Sequence, residues 1–303
     1  MRKVILLFLI IFPLFTGCTT PQAEAYVDLN KLEPLPEAAA TDMKPLRVAV
    51  AAILSPTGSV DNYQPLLNYL SKKLDRPVEM VQRRTYAEVN ELVKSGEVDL
   101  AFVCTSAYIV GEREFGMQLL AAPQVKGETV YYSLLIVPAN SKAESMADLR
   151  DKVFAFTDPM SNTGRNYPVY LVHQLGEEPE SFFSRTFYTY SHDDAIRAVA
   201  SGIADGAAVD SLVYAYAIEQ DPTLAEQVRI IHKSEPFGMP PVVTGPNIRP
   251  QTKALLLNIL QEMHNDPEGQ KALAAAGFDR FLVLEDSIYD SARTLETLVT
   301  TGQ

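Results

Sequence analysis

The sequence predicts an α/β fold in two lobes, each a mainly parallel sheet with flanking helices, on three observations. Short apolar runs alternate with helical patterns along most of the chain, which implies parallel strands joined by right-handed crossovers. A segment also echoes itself: Val93-Lys94-Ser95-Gly96-Glu97-Val98-Asp99-Leu100-Ala101 and Val199-Ala200-Ser201-Gly202-Ile203-Ala204-Asp205-Gly206-Ala207 set a helix, a Ser-Gly stop, an Asp and a strand in the same order. Finally, 303 residues favour two lobes over one. An αβ unit repeated within a single sheet gives the same echo, so the repeat alone leaves both arrangements open.

The elements follow in order. Leu46 to Ala52 alternates as a buried strand, Ser55-Pro56-Thr57-Gly58-Ser59 has turn chemistry, and Tyr63 to Leu74 carries helical spacing through Leu66, Leu67, Leu70 and Leu74. Pro77 to Val81 is a second strand; Tyr86, Val89, Leu92 and Val93 mark a helix closed by Ser95-Gly96. Asp99 to Val103 is a third strand, after which Cys104-Thr105-Ser106-Ala107-Tyr108 opens a helix. Leu119 to Pro123 and Tyr131 to Val137 then read as neighbouring strands, the second long enough to pass from one lobe to the other. Ser141 to Leu149 reads as a short helix, with Ser145 as a cap.

Val153 to Phe156 restarts the α/β series, followed by a helix from Asn166 to Leu175 and a strand from Thr186 to Tyr190. Ser191 to Asp194 caps a helix ended by Gly202, Ala204 to Val209 is a strand, Ser211 to Ile218 a helix and Val228 to Lys233 a strand. Pro240 to Gly245 is the candidate return crossing, and residues from Gln251 read as helices with loops at 265–267 and 277–278. The expected division is 45–136 with 245–303 as the first lobe and 137–244 as the second, hinged at Ile136–Pro138 and Val242–Thr244.

At the N-terminus, Arg2 and Lys3 precede an apolar run from Val4 to Phe15, about a dozen residues and therefore short for a membrane span. The run ends in Leu14-Phe15-Thr16-Gly17-Cys18, which resembles a bacterial lipoprotein signal with Phe15 in the usual aliphatic place. On that resemblance residues 1–18 are a signal peptide ending at Cys18, and the acylated Cys18 anchors the protein to a membrane outside the cytoplasm. Residues 19–44, rich in Pro, Ala and Glu, read as a flexible tether.

Composition is ordinary for a globular protein, with 47% hydrophobic and 21% charged residues. A net charge of -12 argues against a nucleic-acid partner, which needs a basic face, but leaves room for a small anion held by a few local donors. Cys18 and Cys104 are too few for a disulfide framework. His173, His192, His232 and His264 show no metal-ligand spacing, so neither a metal nor a cofactor is expected.

The most informative stretch is Phe156-Thr157-Asp158-Pro159-Met160-Ser161-Asn162-Thr163-Gly164. A strand ending in small hydroxyl-bearing residues that open a helix suits an anion, because the first helical N–H groups lack partners within the helix and carry partial positive charge. Ser161 and Thr163 add hydroxyls, Asn162 an amide, and Gly164 a close backbone approach. The plainer alternative makes Ser161 or Thr163 a helix N-cap. His192 is either a donor to a bound oxyanion, charged below neutral pH by nearby carboxylates, or a capping histidine. Tyr108 is a cleft or a core aromatic, Asp210 a ligand contact or an N-cap, Cys104 an inert thiol, and Tyr131-Tyr132 cross-strand packing.

Four segments together resemble the solute-binding proteins of phosphonate, phosphite and phosphate-type ABC importers: Tyr86-Ala87-Glu88-Val89 with Ser95-Gly96-Glu97-Val98-Asp99; Thr105-Ser106-Ala107-Tyr108; Asp158-Pro159 with Ser161-Asn162-Thr163-Gly164 and Pro168; and Ser191-His192-Asp193-Asp194-Ala195 with Gly202 and Ala204-Asp205. The resemblance implies the periplasmic-binding-protein (Venus flytrap) fold, two hinged lobes closing on a ligand. It implies that Ser161, Asn162 and Thr163 grip an oxyanion, that His192 donates to it, and that Tyr108 and Tyr86 line the facing wall. It implies as partners a small oxyanionic ligand and an ABC permease, with the binding protein a monomer. Asn162 replaces the middle hydroxyl of the family's Ser-Thr-Ser loop. Of the two acidic positions that hold the amine in aminophosphonate binders, only Asp210 is acidic; Gly238 to Pro241 has none. A simpler oxyanion or another ligand is therefore expected.

Catalysis by Ser161 with His192 lacks a third orienting group, and no GxSxG or P-loop pattern occurs. The rival readings keep the fold and make it a ligand sensor partnered with a kinase, or a binder of an organic acid or nucleobase-like compound.

Overall fold

Residues 44–301 are described by a computed structural model; the expected signal peptide, Cys18 and nearly all of the tether lie outside them. The first lobe opens with β1 (Leu46–Val50), α1 (Pro56–Leu74), β2 (Val78–Gln82), α2 (Tyr86–Ser95), β3 (Leu100–Phe102), α3 (Thr105–Phe115) and β4 (Gln118–Gln124). Helix α1 starts earlier than the loop at 55–59 suggested, because Ser55 serves as N-cap and proline is well accommodated at the first helical position. Thr85 and Glu88 form a reciprocal capping box on α2, and Gly96 ends it in the left-handed region at φ 72.

The chain then crosses. Strand β5 (Val130–Tyr131) precedes β6 (Ser133–Pro138), so the long strand expected at 131–137 is broken at Tyr132, whose N–H donates to Ser211 Oγ. The expected helix at 141–149 shrinks to one turn, Met146–Leu149, capped by Ser145 with Asp148 and ended by the extended backbone of Arg150. The second lobe continues with β7 (Val153–Phe156), α4 (Tyr167–His173), α5 (Pro179–Phe182), β8 (Arg185–Tyr188), α6 (His192–Ala200), β9 (Gly206–Asp210), α7 (Ser211–Gln220), α8 (Leu224–Gln227) and β10 (Val228–Lys233). Strands β11 (Phe237–Gly238) and β12 (Val242–Thr244) lead back to α9 (Pro250–Glu262), α10 (Pro267–Ala275), β13 (Arg280–Leu282) and α11 (Asp290–Thr301).

Two sheets result: β13-β4-β12-β3-β1-β2 and β10-β6-β9-β7-β8. The two-lobed α/β architecture matches the expectation, but only two of five pairings in the first sheet and two of four in the second are parallel. β1 pairs in parallel with β2 and β3, as β7 does with β8 and β9, whereas β12 and β6 run antiparallel to their neighbours. Strands that carry the chain between sheets bring in the antiparallel pairing. Ile136–Pro138 lies inside the second sheet and Val242–Thr244 inside the first, so the crossings are 125–132 and 234–241 and the expected hinge positions move accordingly. There β5 and β11 pair antiparallel as a two-stranded ribbon. Strand β13, read from sequence as part of a helical tail, closes the edge of the first sheet against β4. Helix α11 packs against α3 in one lobe and α4 in the other.

The echo has a common cause in both lobes. Asp99 accepts from the N–H of Arg47 at the start of β1, and its own N–H donates back to the Arg47 carbonyl. Asp205 does the same with Val153 at the start of β7. Each carboxylate thus ties the strand that follows a helix to its parallel neighbour.

Candidate functional site

In both lobes the strands deliver helix N-termini to the same crevice. Thr85 caps α2 and Ser191 caps α6, which makes Tyr86 and His192 the first helical residues at equivalent places in the echoed units. Cys104 occupies the cap of α3 and Asp210 that of α7, again equivalent. The loop after β7 adds Asp158 to Gly164.

These groups meet across the lobes. Tyr86 N–H donates to Asp158 Oδ2 at 3.1 Å, Asn166 Nδ2 to Ser106 Oγ at 2.9 Å, and Asn162 Nδ2 to the Tyr131 hydroxyl at 3.3 Å. Nearby, His192 N–H donates to the Ile53 carbonyl at 3.0 Å and Ser55 N–H to Asp193 Oδ1 at 2.8 Å. The lobes are therefore in direct contact around the site, and Tyr86, Tyr131, Ser161, Asn162, Thr163, His192 and Asp210 are all buried.

Ser161 Oγ accepts from Gly164 N–H at 3.0 Å, so it caps the wide helical turn Asn162–Asn166 that precedes α4. It also lies 3.5 Å from His192 Nε2, so the cap and the histidine meet at one oxygen. Thr163 is held by its carbonyl, which accepts from Ser133 Oγ at 2.7 Å. Gly164 has no substitute here, because a Cβ would stand 1.9 Å from Thr157 Oγ1.

His192 Nδ1 accepts from the N–H of Asp210 at 3.0 Å, which assigns the ring proton to Nε2. Burial lowers its pKa to about 3 against the opposing pull of Asp193. The expectation of a charged imidazole is thus corrected: His192 presents a neutral N–H donor. Burial raises Asp210 to about 7, while the N–H groups of Leu212 and Val213 that it caps pull the other way. Asp158 is likewise raised by burial, opposed by the N–H groups of Met160 and Tyr86.

Among the described residues seven buried side-chain polar atoms have no partner, and three of them belong to the elements of this site: the Tyr86 hydroxyl from the first lobe, Thr157 Oγ1 and Asn162 Oδ1 from the second. Rotating the Asn162 amide preserves its link to Tyr131, since a phenol both donates and accepts, and turns the NH₂ into the crevice instead. The Cys104 sulfur lies within reach of the N–H groups of Asn162 and Ser106, and burial pushes its thiol up to about 11, so it stays neutral.

Tyr108 is not part of this cluster. One helical turn into α3, it faces the C-terminal region, donating to Asp286 Oδ1 at 2.7 Å and meeting Tyr289 edge-on at 5.0 Å between ring centres. That is the core alternative. Tyr131, read from sequence as cross-strand packing, does meet Phe237 edge-on across the β5–β11 ribbon, at 6.4 Å between ring centres, and its hydroxyl also accepts from Asn162 Nδ2. No periodicity distinguishes the two roles; Tyr131 lies in the crevice because β5 belongs to the crossing ribbon.

The model for ABC transporter phosphonate periplasmic substrate-binding proteins matches residues 48–289. The phosphate-import protein PhnD of Mycolicibacterium smegmatis is 28% identical over 213 residues, 66% of this chain and 66% of that protein, leaving about a third of the relative's length unmatched. The phosphonates-binding periplasmic protein of Escherichia coli is 25% identical over 248 residues, 80% of this chain and 73% of that one. In fold, the binding protein component of an ABC phosphonate transporter from Pseudomonas aeruginosa superposes with a TM-score of 0.81 at 23% identity, over 86% of this chain and 88% of that chain. With most of its length matched, the chain belongs to the family of periplasmic phosphonate substrate-binding proteins of ABC transporters.

Proposed function

We propose that this protein captures a small oxyanion of phosphonate, phosphite or phosphate type outside the cytoplasm and presents it to the permease of an ABC importer. The observation that carries this reading is that two of the unpartnered buried atoms, Tyr86 OH and Asn162 Oδ1, come from opposite lobes and belong to residues that both lie beside Tyr131 and Cys104. Buried polar groups are ordinarily paired, so atoms left open from two lobes, one of them in the loop whose Ser161 Oγ lies 3.5 Å from His192 Nε2, support a ligand place there. The donors are neutral, which suits an anion held by dipoles in a water-poor site. Residues 45 to the first crossing, with the C-terminal segment, act as one lobe and the intervening residues as the other. The ligand favours the closed arrangement because it bonds both lobes at once.

The protein works as a monomer, is tethered through acylated Cys18, and does no chemistry on its ligand. A Ser-His nucleophile needs a histidine able to accept the serine proton, and His192 Nε2 already carries one. The family's description names a transporter component, which favours transport over kinase-linked sensing.

Calorimetric titration with methylphosphonate, phosphite and phosphate tests the reading. At least one is expected to bind, and Asn162→Ala to weaken it at least about tenfold, the loss of one hydrogen bond to a charged group. Binding of none of these oxyanions overturns the proposal.

A further inference from the structure

Beside the oxyanion crevice lies an apolar cavity of about 200 Å³ between the lobes. Its first-lobe wall is aromatic: Tyr63 meets Phe102 edge-on at 5.0 Å and Phe278 at 6.2 Å between ring centres. Its second-lobe wall is one side of α7, with Leu212, Val213 and Tyr216. The cavity and the crevice share Asp210, which lines the former and whose N–H fixes His192 in the latter. Val103 borders the cavity immediately before Cys104, which lies against the Asn162 amide. The charges on the wall are sparse and mixed, Lys126 and Glu219 both being exposed residues.

An apolar, aromatic-walled space offers nothing to a bare inorganic ion. Apolar cavities of roughly 150 Å³ admit benzene and stay free of water, so this one has room for a group of that size. With one cation against two acids, Lys126 against Glu219 and Asp210, the wall also has no surplus of positive charge for a second anionic group. We propose that the ligand is an oxyanion bearing an uncharged apolar substituent of butyl or phenyl size, the head in the crevice of Tyr86, Asn162 and His192 and the tail between Tyr63, Phe278 and Leu212.

The inference rests on the oxyanion reading and deepens it. The test is a calorimetric series of phosphate, phosphite, methylphosphonate, n-butylphosphonate and phenylphosphonate on the full chain. Each buried methylene is expected to tighten binding roughly fourfold, so n-butyl- and phenylphosphonate should bind at least about tenfold tighter than methylphosphonate. Leu212→Trp, which fills the cavity, should abolish that preference, while methylphosphonate binding by the variant reports that it is folded. Equal or tighter binding of phosphate, phosphite or methylphosphonate overturns the tail site and leaves the proposed function standing; binding of none of the five overturns both. A preference that survives Leu212→Trp in a variant that binds methylphosphonate normally also overturns the tail site.

Discussion

Tyr86→Phe removes one oxygen and separates a structural hydroxyl from a ligand-binding one by the signs of two effects. The Tyr86 hydroxyl is buried without a hydrogen-bond partner. An unsatisfied buried polar group costs about 1–3 kcal/mol, so deleting it should stabilise the ligand-free protein, by about 1 kcal/mol once relaxation is allowed for. The same oxygen should donate to a bound oxyanion, a bond to a charged group worth about 1.5–3 kcal/mol. Its loss should raise the dissociation constant roughly 10- to 150-fold. Urea unfolding without ligand and calorimetry with methylphosphonate measure the two quantities on one preparation. A variant that is less stable and binds unchanged would refute the reasoning, since the hydroxyl would then be making a structural bond.

Three other perturbations follow from the geometry. Gly164→Ala should weaken binding and lower stability by more than 1 kcal/mol, because its Cβ collides with Thr157 and the 161–164 loop must shift; unchanged thermal unfolding would count against that loop geometry. Tyr108→Phe should leave affinity unchanged and cost about 0.5–1.5 kcal/mol of stability through the lost bond to Asp286. A Tyr108→Phe protein with impaired binding would return that residue to the cleft. His192 sets a pH dependence. Its folded pKa is lowered by burial to about 3, so the unfolded chain takes up a proton below its ordinary value of about 6.5 and the folded chain does not. Its contribution to stability is complete above that value and is lost as pH falls from there toward 3. Between pH 7.5 and 5.5, His192→Gln should lose about 1 kcal/mol less stability than the parent. Identical slopes would mean that the ring is not buried as a neutral group.

Much of the site was legible because it consists of helix starts. Thr85, Ser191 and the 158–164 loop carry capping chemistry that depends only on near neighbours, and the Asp99 and Asp205 echo repeats at fixed spacing. Local rules of this kind also placed Tyr86 and His192 at the first turns of α2 and α6. They could not say which way a helical residue faces. Tyr108 and Tyr86 stand on neighbouring helices of one lobe, yet the Tyr108 hydroxyl bonds Asp286 while the Tyr86 hydroxyl is buried near Cys104, Asp158 and Tyr131 and bonds none of the described residues. Nor could they reveal that Tyr131 leaves its expected strand for the crossing ribbon, or that β13 pairs with β4.

By itself the sequence determined most of the order of strands and helices, β5, β11 and β13 aside, together with their main caps and stops and the loop chemistry suited to an anion, since each depends on residues a few places apart. Tertiary structure alone decided that His192 is neutral, that the Tyr86 hydroxyl and Asn162 Oδ1 are buried without partners, and that an apolar cavity lies between the lobes. Those properties come from burial and from contacts between segments 50 to 150 residues apart, such as the Ser55–Asp193 bond across 138 residues. The free energy of a buried polar atom depends on what the rest of the chain brings to it.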